Sequence, residues 1–257
     1  MEFITKIIVC FVAGAAAGIG TGFAGMSAAA AISPLLITFL GIPAYGAVGI
    51  ALASDVLASG VSAYTYGKNK NLDIKNGIIL MMTVLVFTTI GSYVSSLVPS
   101  RTMGNFSVFM TMMLGIKFIV KPVMTTKETM QAIDKKSQII RSIISGTVIG
   151  FICGFVGAGG GMMMLLVLTS VLQYELKTAV GTSVFVMTFT ALTGSLSHFV
   201  IDGMPDLLVL ALCVIFTLLW ARIAAKVANK ADARTLNRVV GVVLVILGVV
   251  ILGVNLL

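Results

Sequence analysis

Apolar residues run along the chain in long blocks, broken by short polar or glycine-rich stretches. Ten blocks stand out. Five lie near residues 3–22, 27–41, 45–67, 76–98 and 103–122, and five near 141–156, 161–173, 178–200, 206–226 and 236–256. A helix needs about 20 apolar residues to cross the hydrocarbon core of a bilayer. Most blocks approach that length, which predicts an all-α, polytopic membrane protein. The second block of each half is short, and so is 141–156. These predict half-helices, steeply packed short helices or re-entrant pieces. The one long polar connection is KPVMTTKETMQAIDKKSQIIR, residues 121–141. It separates a first membrane repeat (1–122) from a second (141–257) by a linker over 123–140.

The halves are related. A shift of 132 residues places Gly14, Gly18, Gly22, Phe23 and Gly25 on Gly146, Gly150, Gly154, Phe155 and Gly157. The same shift places Ala47-Val48-Gly49 on Ala179-Val180-Gly181. One further residue of shift brings Arg101-Thr102 onto Arg234-Thr235. Loop charge then orients the repeats. The loop after the third block carries Lys68, Lys70 and Lys75, whereas its counterpart carries Asp202 and Asp206 and no Lys or Arg. The loop after the fourth block has Arg101 alone, whereas its counterpart has Arg222, Lys226, Lys230, Arg234 and Arg238. Basic loops mark the cytoplasmic face, so equivalent loops lie on opposite faces. That requires an odd number of crossings per half. Two inverted-topology repeats of about five helical segments each satisfy it, with some segments short or broken. They place the linker in the cytoplasm and both termini outside, in the cell membrane. Inverted repeats are a common transporter architecture, with the substrate site near the midplane.

Composition agrees. The chain is 58% hydrophobic and 10% charged, against roughly 25% charged in soluble domains. The net charge of +8 sits in short loops between apolar runs, so the partner it implies is the lipid bilayer and not nucleic acid. Cys10, Cys153 and Cys213 all fall inside apolar blocks and read as small buried hydrophobes. The apolar N-terminus lacks a convincing cleavage site and reads as a first membrane segment. A homo-oligomer is left open.

Two glycine-rich breaks carry the candidate chemistry: GTGFAGMSAAAA, residues 20–31, and GFVGAGGGMMM, residues 154–164. Glycine costs about 1 kcal/mol relative to alanine inside a helix, so Gly159, Gly160 and Gly161 in succession predict a helix end or turn. A helix starting after each break offers unpaired N–H groups and the positive end of its dipole. That makes an anion site without a buried cation. The candidate residues are Gly25, Met26 and Ser27 in the first break and Gly157, Gly159, Gly160 and Gly161 in the second. For Gly14 and Gly18, close helix packing is the stronger reading.

The doubled pattern GFAGMS…AVGIALASD and GFVGAGGG…AVGTSVFV resembles the sulfite exporter TauE/SafE family, also called the toluene sulfonate uptake permease (TSUP) family. The resemblance covers nearly the whole chain. It implies transport of sulfite, sulfonates or related sulfur-containing anions. The first half departs from the second: it lacks the triple glycine and has Ile50-Ala51 opposite Thr182-Ser183.

Asp55 is the only acid well inside an apolar block, and its repeat counterpart is Met187. An acid at a helix centre costs roughly 2.5–3.5 kcal/mol on insertion scales. Two roles fit it: proton coupling, or acceptance of hydrogen bonds from a helix N-terminus. Thr182 and Ser183 either donate to a sulfite or sulfonate oxygen or bond back to their own helix. His198 reads as structural and Trp220 as an interfacial anchor. No catalytic residues, cofactor motif or metal cluster is recognisable. The expected function is secondary transport, with export favoured, of a small sulfur-containing anion substrate. A non-transporting membrane subunit and a carrier of another small solute are the alternatives.

Overall fold

A computed structural model describes residues 2–95, 112–113, 115–131, 134–156 and 160–255. Gly157, Gly159, Arg101 and much of the fifth apolar block lie outside the described residues. The helices are α1 (Glu2–Ala24), α2 (Ala29–Leu40), α3 (Ala44–Lys68), α4 (Ile74–Ser95), α5 (Lys127–Gln131), α6 (Lys135–Val156), α7 (Gly160–Ser170), α8 (Leu176–Asp202), α9 (Leu207–Lys230) and α10 (Ala233–Asn255). Among the described residues there is no strand. Among the described residues, five segments are long and apolar enough to span a membrane: Phe3–Ala24, Tyr45–Lys68, Leu176–Val200, Leu207–Lys230 and Ala233–Val250.

The two expected short helices are present. α2 has 12 residues and α7 has 11, which at 1.5 Å per residue gives about 16–18 Å. That is little more than half of a hydrocarbon core. The sixth block differs from expectation, because α6 is 22 residues long and begins at Lys135. The stretch read as the end of the linker is helical. Lysine and arginine are good helix formers that hydropathy undercounts. Asp134 caps the start, accepting from the Ser137 amide at 3.2 Å.

Packing follows the glycines. α1 lies along α9, α4 along α6, and α3 along both α8 and α9. Helices in lipid gain little from hydrophobic contact with each other, so close backbone approach at small residues is what joins them. Gly14 faces Phe216 and Thr217, Gly18 faces Thr217 and Ala221, and Gly22 faces Ala221 and Ala224. The numbers rise together, so α1 and α9 are parallel. Gly146 against Thr83 and Gly150 against Val84 and Phe87 make α4 and α6 parallel too. Gly49 against His198 and Gly181 against Tyr66 make α3 and α8 antiparallel. A Cβ at Gly18 would lie 2.6 Å from the Thr217 carbonyl oxygen and 2.7 Å from the Ala221 nitrogen. Overpacking of this kind costs typically 1–3 kcal/mol. Gly18→Ala is therefore expected to lower the unfolding midpoint in detergent. Gly253→Ala, with nothing within 4 Å, is expected to leave it unchanged.

One connection recurs at the repeat spacing. α2 ends with Gly41 at φ +63° and a bond from the Ile42 amide to the Leu36 carbonyl. α7 ends with Gln173 at φ +55° and the matching bond from Tyr174 to Leu168. The next helices open on Pro43 (φ −53°, ψ 140°) and Glu175 (φ −56°, ψ 141°). Different residues adopt one backbone path, because both paths return a short helix into a long one.

The N-terminal ends of α1 and α9 are tied by Lys6 Nζ and Asp206 Oδ2 at 2.7 Å. Asp206 also caps α9, accepting from the Leu208 and Val209 amides. The Lys6 ammonium holds its carboxyl below the ordinary carboxylate range. The stabilisation is therefore full above that range and is lost as pH falls through the lowered native value. Exposed pairs contribute at most about 1 kcal/mol. Melts of wild type and Asp206→Asn should differ by a few degrees at neutral pH and low salt, and converge at strongly acidic pH.

Two peripheral expectations resolve differently. His198 stacks on Tyr45 at 4.0 Å, and its Nδ1 lies 3.0 Å from the Tyr45 carbonyl oxygen, a structural arrangement. Trp220 sits in the middle of α9 and packs edge-on against Phe11 at 6.4 Å between ring centroids. Trp220 is not at an end of α9: the helix runs on past the apolar block to Lys230, and the Trp220 side chain fills space beside Gly18.

Candidate functional site

The first break is a helix end followed at once by a helix start. α1 stops because Gly25 adopts φ +59°, a conformation glycine enters without strain. Its amide donates to the Thr21 carbonyl at 3.0 Å, and the Met26 amide donates to Gly20 at 3.3 Å. The first is the C′-to-C3 bond of an αL cap, and together the two satisfy carbonyls of the last turns of α1. The Thr21 hydroxyl donates to the Met26 carbonyl at 2.8 Å and fixes the turn.

The start of α2 is capped from another helix. Asp55, on α3, is fully buried. Its Oδ2 accepts from the Ser27 hydroxyl at 2.8 Å, and its Oδ1 accepts from the Ser59 hydroxyl at 2.8 Å. The Ala28 amide also donates to this carboxylate. Ser27 Oγ in turn accepts from the Ala29 amide at 3.3 Å. The Ala30 and Ala31 amides are bonded to the Ser27 and Ala28 carbonyls at 3.2 and 3.1 Å. The first turn of α2 thus has its donors satisfied within the protein, with Asp55 in the seat an anion would take. Of the two roles the sequence leaves to Asp55, its hydrogen bonds make the second visible.

The second break meets the first. A Cβ at Gly161, in the first turn of α7, would lie 2.7 Å from the Gly25 carbonyl oxygen and 2.8 Å from the Ser27 nitrogen. Ser183, on α8, lies across both. Its hydroxyl is 3.2 Å from the Gly25 carbonyl oxygen and 3.5 Å from that of Gly161. Ser183 is fully buried, as is Met26, whose side chain packs by Gly20. Gly160 is the first residue of α7. Gly25, Met26, Ser27, Asp55, Gly160, Gly161 and Ser183 therefore gather at one place. Thr182 does not join them, because its hydroxyl accepts from the Asp73 amide at 3.2 Å at the start of α4. Neither hydroxyl bonds back to its own helix in the way that Ser54 does, onto Ile50 at 2.9 Å.

The two helix starts differ in charge. Where Asp55 meets α2, its counterpart Met187 meets α7: the Met187 sulfur is 2.6 Å from the position a Gly161 Cβ would take. A thioether brings no charge, so Met187 does not compensate the α7 dipole in the way that Asp55 compensates that of α2. Three residues of this neighbourhood were not picked out from the sequence: Thr21, Ser59 and Tyr66, whose hydroxyl donates to the Gly22 carbonyl at 2.8 Å. Ser59 alone had a local signal, lying one turn beyond Asp55 on the same helix face.

The family profile described as Sulfite exporter TauE/SafE matches residues 10–251. The chain belongs to the TauE/SafE family. It is similar to the "probable membrane transporter protein" YunE of Bacillus subtilis, 25% identical, covering 96% of each chain. YdhB of the same organism, with the same description, is 24% identical over 82% of this chain and 86% of its own. A "probable membrane transporter protein" of Methanocaldococcus jannaschii is 24% identical over 98% of this chain and 97% of its own. No solved structure matches the chain significantly. TauE/SafE is a family of membrane transporters, and this chain is a multi-pass member of it. In this TauE/SafE protein the described parts of the two glycine-rich breaks, Gly25 to Ser27 and Gly161, meet beside Ser183.

Proposed function

We propose that this protein exports sulfite or a related small sulfur-containing anion by alternating access at the meeting point of the two breaks. The carrying observation is the Asp55–Met187 difference. At equivalent positions, one helix start is neutralised by a buried carboxylate and the other faces a thioether. The anion therefore binds at the start of α7, held by amides of Gly160 and Gly161 and by the Ser183 hydroxyl. Gly25, Met26 and Ser27 form the opposing wall. Thr182 braces the far side of α8 through Asp73.

The two halves act as inverted repeats. Support comes from helix direction: α3 and its counterpart α8 are antiparallel, while α1 pairs in parallel with α9 as α6 does with α4. The basic loops set the linker in the cytoplasm and both termini outside. A cytoplasm-negative potential supplies about 2.3 kcal/mol per charge per 100 mV, so a monoanion is driven outward without a second substrate. Asp55 is the coupling group where uptake is needed: a proton on it weakens its hold on α2 and frees that helix start.

Flux in proteoliposomes tests the reading. Radiolabelled sulfite and a small organosulfonate should move saturably, with the imposed potential setting the direction. Absence of flux for every sulfur oxyanion overturns it. A thermal-shift series with the same anions should show stabilisation that grows with concentration.

A further inference from the structure

A second concave feature lies away from the breaks. A cavity of about 570 Å³ opens between α3 and α8, within the range of small-ligand sites. Its walls are Gly60, Tyr64, Phe185, Thr188 and Phe189, and Lys68 stands at one end. The floor is deep because Gly60 has no side chain: a Cβ there would find only the Thr188 methyl, at 3.7 Å. Phe185 and Phe189 pack edge to face at 5.4 Å and make a rigid apolar side. Tyr64 is 72% exposed and Phe189 is 39% exposed, so the cleft opens outward along a spanning pair of helices, where lipid chains lie.

The charge is all at one end. Lys68 is in the last turn of α3, Lys70 follows in the connection to α4, and Lys75 is in the first turn of α4. Lys127 joins them, donating to the Lys70 carbonyl at 3.0 Å. Two acids are near. The Asp73 carboxylate is already engaged by the Tyr174 hydroxyl at 2.8 Å and by Asn76 Nδ2 at 2.7 Å. Glu128 is the neighbour of Lys127 on α5. The cluster keeps a net positive balance. The positive-inside rule puts this end at the cytoplasmic leaflet, where anionic lipids concentrate.

We propose that this cleft binds one anionic phospholipid, with an acyl chain against Gly60, Phe185 and Phe189 and its phosphate at Lys68. An apolar channel with a cation at the headgroup level matches that ligand at both ends. The site is separate from the proposed anion site and does not depend on which solute is transported.

Native mass spectrometry of the purified protein, incubated with equimolar phosphatidylglycerol and phosphatidylcholine of identical chains, tests it. Wild type should retain phosphatidylglycerol in roughly fivefold preference, the worth of about one lysine at an anionic lipid surface. Lys68→Gln should bring the ratio to parity, while Gly60→Leu should reduce retention of both lipids. Lys68 is exposed, so its replacement leaves folding intact and decides the matter even if Gly60→Leu misfolds. Equal retention by wild type, or an unchanged preference in Lys68→Gln, overturns the proposal. So does a Gly60→Leu protein that keeps its lipid but changes oligomeric mass, which would make a second copy of the chain the occupant.

Discussion

Asp55→Ala is expected to destabilise the protein by about 3 kcal/mol or more. It leaves the Ser27 and Ser59 hydroxyls and the Ala28 amide without their acceptor. Each buried donor left unsatisfied costs about 1–3 kcal/mol. Global stabilities lie near 5–15 kcal/mol, so the loss is a large fraction. It should appear as a marked fall in the unfolding midpoint and in the yield of monodisperse protein. Asp55→Asn keeps one acceptor oxygen and should be milder in stability. It should still flatten the pH dependence of anion flux, since the amide does not titrate. An alanine variant as stable as wild type would show that the carboxylate does not cap α2. An asparagine variant with the wild-type pH profile would remove the coupling role and leave the cap.

Gly161→Ala is expected to abolish flux and to cost roughly 1–3 kcal/mol by overpacking. The new methyl would meet the Gly25 carbonyl oxygen at 2.7 Å and the Ser27 nitrogen at 2.8 Å. Those are backbone atoms held by the αL cap of α1 and the capped start of α2, so they cannot move aside as a side-chain tip can. The Met187 sulfur, at 2.6 Å, is the one flexible neighbour. Gly161→Ala/Met187→Ala separates the contributions: it should recover part of the stability and none of the flux. Full recovery of flux in the double variant would show that the contact between the breaks is mere packing.

Helix ends divide into those that local sequence encodes and those that it does not. Gly25 was readable because a helix that must stop inside an apolar run needs a residue that accepts positive φ. The shortness of α2 and α7 was readable from block length alone. The true start of α6 was not, because lysines belong equally to a linker and to the exposed first turn of a helix. Thr182 and Ser183 are adjacent hydroxyls with different neighbours, the Asp73 amide for Thr182 and the breaks for Ser183. Adjacent residues on a helix project about 100° apart, and sequence does not reveal which of the two faces the neighbouring backbone.

What the chain determines by itself is its solvent and most of its segments. These follow from local properties, above all apolar length against bilayer thickness. The family follows from the same residues, and the profile match over 10–251 bears it out. Only the tertiary structure decides that Asp55 reaches across from α3 to the start of α2, and that Met187 stands in its place at α7. The reason is physical. A cap supplied from another helix depends on the distance and rotation between two packed helices, and those are set by glycine contacts such as Gly18 on Thr217, which no local pattern encodes.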